Sequence, residues 1–312
     1  MIAVVGATGL VGRKVFEGLI DEGFFNLVLF ASQKSNGKVL EYKGKKYTVY
    51  TLNESNLELA RPKFAIFSAG GKISKEWAKK FTKLGCVVID NSSYFRHKKS
   101  VPLVAYGINN DDIKWHKGII ANPNCSTLGM LPVLKLLMPY KIKRVIITTM
   151  QSVSGAGQKG LKHLQNGEKY FDYEIKDNII PKIGEYAKNG YCEEEFKLIK
   201  ESRKILHLSG LKITSTVTRV PVSFCHSESL NIELAKPLTK SHFIEMLKRD
   251  NLIVYEDLPM PLFTAGDTKV HVGRVRKDNS RDNAFNVFVV SDNLLRGAAT
   301  NAIEILKEIY ED

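Results

Sequence analysis

The sequence is poor in cysteine and has no paired cysteines. Cys86, Cys125, Cys192 and Cys225 stand singly along 312 residues, with no CxxC spacing. That pattern argues against a zinc site and a disulfide framework, so a special cysteine here is special as a reduced thiol. Long apolar runs are also lacking: those present, such as the one around Ile146, are far too short to span a bilayer. The chain opens MIAVVGATGLVG, without the basic start, longer apolar stretch and small-residue cleavage site of a secretory signal. A cytoplasmic protein with no membrane partner is expected. There is no internal repeat, no low-complexity linker and no basic segment interleaved with aromatics of the kind that binds RNA.

What is present is the composition of a globular protein, 44% apolar and 25% charged, in a chain long enough for two domains. The net charge is +13, from 46 Lys and Arg against 33 Asp and Glu. The lysines are scattered, as in YKGKKY and FRHKKS, which favours a phosphate-bearing substrate or cofactor over nucleic acid.

The first third alternates β-branched runs with helical stretches. MIAVVG, FNLVLFAS, FAIFSAGG and GCVVIDNSS read as buried strands, with GRKVFEGLIDEG and SKEWAKKFTKLG as helices between them. This predicts a parallel sheet with helices on both faces. After about residue 120 the strands lengthen and mix polar with apolar positions, in IKRVIITTMQSVSG, LKITSTVTRVPVSF, SLNIELAK, KVHVGRVRK and AFNVFVVSD. They suit a mixed or antiparallel sheet with one exposed face. The end, NLLRGAATNAIEILKEIYED, predicts an amphipathic helix with Leu295, Ala298, Ala302, Ile305 and Ile309 on one side.

GATGLVG places Gly6, Gly9 and Gly12 between the first strand and the first helix, with Thr8, Leu10 and Val11 filling the same turn. Glycines let the backbone approach a pyrophosphate, and a helix N-terminus supplies unpaired N–H groups and partial positive charge. An NAD site usually puts a carboxylate at the end of the second strand. Here the chain reads Ser32, Lys34 and Ser35, hydroxyls and a cation suited to a 2′-phosphate, so NADP(H) is the expected cofactor. A third turn, SAGG with Ser68 and Gly70, would border the same crevice.

NPNCSTLGMLPVLKLL sets Cys125 just before an apolar helical stretch that Asn124 or Ser126 would cap. A helix N-terminus lowers a thiol's pKa. A thiolate nucleophile needs a proton partner, and VTRVPVSFCHSES offers His226, with Arg219 seven residues before it. The remaining histidines, among them His163 and His271, read as surface residues. An arginine in an otherwise apolar and hydroxyl-bearing strand needs an anion: a substrate carboxylate, or Glu228 within the chain. Gln151 stands where a strand meets the glycine-rich turn TTMQSVSGAG.

GATGLVG, NPNCST, QSVSGAG, RVPVSFCHSES, PLFTAGDTKVHVGRVRKD and SDNLLRGAATNA together resemble the bacterial aspartate-semialdehyde dehydrogenase family, in its order and over nearly the whole chain. The resemblance implies a Rossmann-type α/β domain over residues 1–121, completed by a C-terminal helix over 293–312. It implies a second α/β domain with a mixed sheet over 122–292, holding catalysis and the interface of a homodimer. It implies Cys125 as nucleophile, His226 as acid/base, Gln151 as the residue that orients substrate, and Arg219 on the α-carboxylate. Glu194 and Lys197 in YCEEEFKLIKES would meet the substrate amine and phosphate, Arg96 in NSSYFRHKK the phosphate, and Ser154, Gly155 and Asn293 the cofactor. One departure stands out: Tyr106-Gly107-Ile108-Asn109 replaces a Pro-Glu-Val-Asn-like stretch of the family. The implied reaction converts aspartyl phosphate to aspartate semialdehyde and inorganic phosphate in the aspartate pathway to lysine, threonine, methionine and diaminopimelate. Two other readings remain. N-acetyl-glutamyl-phosphate reductase shares the chemistry but has no need of an acid for a substrate amine, and an inactive NADP-sensing protein has no need of a nucleophile.

Overall fold

The computed structural model describes residues 1–311, so residue 312 of the expected C-terminal helix lies outside it. The chain divides into two compact units, Met1–Pro123 with the segment from Ala298 onward, and Asn124–Gly297.

The first unit carries β1 (Ile2–Val5), β2 (Leu27–Ala31), β3 (Val39–Tyr42), β4 (Lys45–Thr51), β5 (Phe64–Phe67), β6 (Val87–Asp90) and β7 (Ile119–Ala121). Its helices here are α1 (Leu10–Asp21), α2 (Glu54–Ala60) and α3 (Gly71–Lys83). The sheet order is β3-β4-β2-β1-β5-β6-β7, parallel except for the β3–β4 pair. β1 is buried at every residue, as a central parallel strand covered on both faces must be. Lysine-rich YKGKKY turns out to be a hairpin: Lys43 and Gly44 both take positive φ, the two-residue turn whose twist matches paired strands.

The second unit carries β8 (Ile142–Gln151), β9 (Lys212–Arg219), β10 (His226–Leu234), β11 (Ile253–Tyr255), β12 (Val270–Lys277) and β13 (Ala284–Ser291). They form a mixed sheet in the order β11-β12-β13-β10-β8-β9. Its helices are α4 (Cys125–Leu137), α5 (Gln158–Asn166), α6 (Glu193–Ile205), α7 (Lys240–Arg249) and the single turn α8 (Pro261–Thr264). α4 is apolar almost all round and packs on β8, β10 and β13, which is why its sequence shows little amphipathic period.

At the C-terminus the chain does not run as one regular helix from Asn293. Leu295–Ala299 makes a wide π-type turn, and α9 (Thr300–Glu311) follows, burying Ala302 and Ile305 against α1. Residues 293–297 belong to the second unit. The departing stretch at Tyr106 is a turn with Gly107 at positive φ, tied by the Asn301 Oδ1 that accepts the Tyr106 N–H at 2.8 Å. Among the described residues, no helix is long and apolar enough to cross a membrane.

Candidate active site

In the first unit the glycine turn leaves β1 and enters α1. Gly6 sits at φ +87°, and a methyl group there would come 2.7 Å from the Ser68 carbonyl oxygen; one on Gly12 would come 2.0 Å from the Gly6 oxygen. Only glycine lets α1 start this close to the strand ends. Gly9 precedes α1 and Gly70 precedes α3, and neither helix N-terminus has a side-chain cap. β1 and β5 are neighbours in the sheet, and the chain order departs in opposite directions from them. Two bare helix N-termini thus open at a topological switch point, where such sheets bind ligands. At the end of β2, Ser32 and Lys34 are exposed and Ser35 is buried, its Oγ 3.4 Å from Thr8 Oγ1. Ser68 Oγ accepts from the Asn91 amide at 2.9 Å. Arg96 is buried in this unit and donates to the Asn122 carbonyl (2.8 Å) and the Asn91 carbonyl (2.7 Å). Dinucleotide phosphates fit such a crevice, because the leading N–H groups of both helices are left for a ligand.

In the second unit the fold gathers Cys125, Gln151, Glu194, Lys197, Arg219 and His226. Asn124 caps α4: its Oδ1 accepts the N–H groups of Ser126 (3.0 Å) and Thr127 (3.4 Å), which leaves Cys125, half-buried, as the first helical residue. Glu194, at the start of α6, is buried. Its Oε1 accepts from the Asn124 amide at 2.8 Å, and its Oε2 takes the Lys197 ammonium at 2.8 Å. The Gln151 amide reaches Glu194 Oε1 only at 3.4 Å. Burial alone would raise the Glu194 carboxyl, but Lys197, the Asn124 amide and the Arg219 charge outweigh it and hold it below the usual range. Arg219 ends β9 buried, donating from Nη1 to the Ser152 carbonyl at 2.7 Å while its Nε has no hydrogen-bond partner. Burial pulls its pKa down, and the charges of Glu194 and Cys125 oppose that pull. Glu228, the alternative partner for Arg219, has no hydrogen-bond partner for either oxygen, and burial raises its pKa well above the ordinary value.

His226 is fully buried, and its Nδ1 accepts the Ser152 N–H at 3.1 Å. An accepting Nδ1 carries no proton, so the neutral ring holds its proton on Nε2, which has no protein partner. Burial and the nearby Arg219 charge depress the ring's pKa to about 3. A methyl group on Gly155 would come 2.8 Å from Arg219 Nη1 and 3.3 Å from His226 Nε2, so glycine keeps these two groups uncovered. Ser154 and Asn293 lie beneath this turn. Asn293 Oδ1 accepts from Ser152 Oγ, Ser154 Oγ and the Cys225 N–H at 3.0–3.1 Å.

Two expectations about histidine need correction. His163 and His271 are buried, not superficial. His271 is sandwiched between Glu256 and Asp267 at 2.7 and 3.0 Å, and His163 accepts backbone hydrogen bonds at a helix end. Glu201 and Ser152 were missed. Glu201 Oε2 accepts the Asn124 N–H at 2.6 Å and so anchors the cap. Glu194, Lys197 and Glu201 follow i, i+3, i+7 spacing, a one-face signal available in the sequence.

Two family models and several known proteins match the chain. Residues 1–116 match the family model described as semialdehyde dehydrogenase, NAD binding domain. Residues 134–296 match the model described as semialdehyde dehydrogenase, dimerisation domain. The chain is 42% identical to the aspartate-semialdehyde dehydrogenase of Aquifex aeolicus, over 100% of this chain and 98% of that one. It is similar to the crystal structure of aspartate semialdehyde dehydrogenase II complexed with ASA from Vibrio cholerae, with a TM-score of 0.96, 37% identity, and coverage of 100% and 98%. The aspartate semialdehyde dehydrogenase structure with NADP from Candida albicans matches with a TM-score of 0.77 and 25% identity, covering 99% and 98%.

Proposed function

Because the chain belongs to the aspartate-semialdehyde dehydrogenase family, we propose that it converts L-aspartyl-4-phosphate to L-aspartate 4-semialdehyde through a thioester on Cys125. The observation that carries the residue roles is the buried pair of opposite charges beside the thiol. Anionic Glu194 and cationic Arg219 match the ammonium and carboxylate of an α-amino acid. An acylated nitrogen would offer the anionic Glu194 no positive charge beyond that of Lys197, which disfavours N-acetyl-glutamyl phosphate as substrate.

The Cys125 thiolate, favoured by the α4 N-terminus, attacks the acyl carbon, and the bond to the phosphate oxygen breaks. Lys197 and Arg96 are the cations for the leaving phosphate, and Gln151 orients the acyl group. His226 presents its Nε2–H to the carbonyl oxygen, steadying the negative charge that develops there and exchanging protons with it. The dinucleotide, when bound, supplies the hydride that brings the thioester to the aldehyde level. Collapse of the hemithioacetal then breaks the C–S bond and returns the thiolate.

For the cofactor, Gly6, Thr8, Gly9, Leu10, Val11 and Gly12 form the pyrophosphate cradle, with Ser68 and Gly70 along the same crevice. Ser154, Gly155 and Asn293 serve its nicotinamide end. NADP is favoured over NAD because Ser32, Lys34 and Ser35 end the second strand without a carboxylate. The match to a dimerisation domain supports a homodimer. Exposed Leu258, Leu262 and Phe263 in that unit are apolar surface of the sort an interface covers.

Purified protein given aspartate semialdehyde, inorganic phosphate and NADP is expected to form NADPH. N-acetyl-glutamyl semialdehyde is not expected to replace the substrate. Absence of phosphate-dependent NADPH formation would sink the proposal. In the same assay Ser32→Asp is expected to erase a preference for NADP of about tenfold or more by repelling the 2′-phosphate. Equal efficiency with NAD and NADP in the unmutated protein would count against the cofactor reading.

A further inference from the structure

Arg219 makes one hydrogen bond to Ser152 and leaves its Nε unpaired, so that bond alone does not set the plane of its guanidinium. Part of its surroundings comes from residues 167–192, the connection between α5 and α6. Gly167 closes α5 in the left-handed conformation, and the chain then folds back over the end of β9. Ile180 exchanges two backbone hydrogen bonds with Arg219, at 3.0 and 2.8 Å, which covers the free edge of that strand. Nearer the guanidinium, the Phe171 ring lies 6.0 Å from Arg219 Cζ, within cation–π reach.

Residues 170 and 171 belong to no helix or strand, yet both of their N–H groups are satisfied by one atom. His163 Nδ1 accepts from Tyr170 N at 2.9 Å and from Phe171 N at 3.1 Å. The imidazole is buried in the last turn of α5 and also packs its ring against Phe171, with centroids 5.2 Å apart. Nδ1 therefore acts as the acceptor that ties both backbone groups to the end of α5.

We propose that His163 and Phe171 are positioning residues for substrate binding: His163 pins the backbone at residues 170 and 171, and Phe171 holds the Arg219 fork in the plane that receives a carboxylate. This rests on the reading of Arg219 as the carboxylate anchor. A guanidinium presents its donors in a fixed plane, so tilting it loses one of two parallel hydrogen bonds even though the charge stays in place. The effect therefore belongs to capture of the semialdehyde, with the thiol and the dinucleotide untouched.

The test is steady-state kinetics, melting temperature and Cys125 alkylation on His163→Phe, His163→Asn, Phe171→Leu and Arg219→Lys. Phenylalanine fills the space without an acceptor, whereas asparagine sets its Oδ1 near the place of Nδ1. His163→Phe is expected to raise the KM for aspartate semialdehyde about tenfold, the weight of one lost charge-assisted contact. The KM for NADP and the alkylation rate stay as in the unmutated protein. His163→Asn returns to within about threefold of the unmutated KM, and His163→Phe combined with Phe171→Leu is no worse than the poorer single variant, because both act through one contact. A normal semialdehyde KM in His163→Phe with only a lower melting temperature overturns the proposal, as does an asparagine variant damaged as badly as the phenylalanine one. If Arg219→Lys raises KM while His163→Phe does not, the positioning role alone falls. If Arg219→Lys leaves KM unchanged, the anchor reading falls with it.

Discussion

Helices α1 and α4 both begin at turns built for close approach, but one N-terminus is bare and the other is capped. α1 follows Gly9 and has no side-chain cap, so its leading N–H groups and partial positive charge are left for a ligand's phosphates. α4 follows Asn124, whose side-chain Oδ1 consumes two of those groups, and Cys125 takes the remaining field as the first helical residue. In the proposed reading, the same macrodipole would serve ligand binding in one place and thiol activation in the other. What separates the two uses is one residue, glycine against asparagine. Their support differs as well. The α1 turn is enforced by contacts that only hydrogen atoms fit, whereas the α4 cap is enforced by hydrogen bonds to Glu194 and Glu201.

The largest effect separates the two regions outright. Cys125→Ser is expected to lower turnover at least about a thousandfold, since a hydroxyl is hardly ionised at neutral pH. NADP affinity, read by fluorescence titration, should stay nearly intact. Activity within tenfold of the unmutated enzyme would remove Cys125 from its role.

Next comes the steric side of the comparison. Gly12→Ala places a methyl group 2.0 Å from the Gly6 oxygen, whereas the same change at Gly9 leaves 3.4 Å. The first is expected to destabilise the first unit by about 2–3 kcal/mol or more and to weaken NADP binding, and the second to leave the melting temperature nearly unchanged. Equal melting temperatures for the two variants would mean that the turn relaxes freely.

Asn124→Ala tests the capped end. Losing the cap is expected to cost about 1 kcal/mol, a fall in melting temperature of about 2–4 °C in a unit of this size. Binding of NADP should not follow it. A variant as stable as the parent would show that Glu201 holds α4 without the asparagine side chain.

The remaining tests concern pH, through two buried titratable residues on β10. His226 has a folded-state pKa of about 3 against about 6.5 in an unfolded chain. The unfolded chain takes up a proton first, so stability falls as pH drops from about 6.5 toward 3. Glu228 works in the other direction. Its folded pKa is raised, so the unfolded chain loses a proton first and stability falls as pH rises above the ordinary glutamate range. Glu228→Gln, neutral at every pH, is expected to raise the melting temperature at pH 8 and to leave it nearly unchanged at pH 4. The opposite pH trend would mean that Glu228 is ionised in the fold.

The sequence by itself determined the local parts of this protein. Hydrophobic runs bounded by Gly, Ser and Asn located β1, β2, β5 and β6, and polar alternation located the long strands of the second sheet, because burial on two faces or one leaves its mark on every strand residue. Gly6 and Gly12 were legible because a strand-to-helix turn at that spacing excludes a side chain. Cys125 was legible because Asn and Pro around it mark a helix start. Tertiary structure decided what depends on partners far apart in the chain. Asn124 was chosen over Ser126 as the cap because Glu194 and Glu201, 70 and 77 residues away, fix its amide and backbone. The charge relations of Arg219 were settled by packing, which set Glu194 beside it and left Glu228 enclosed without it. The proton on His226 was placed by one backbone N–H from Ser152, 74 residues away. His163 looked superficial because its neighbours are lysine and glutamine. Only the fold of residues 167–192 back onto α5 covers it, and no local period records a contact made by an irregular segment.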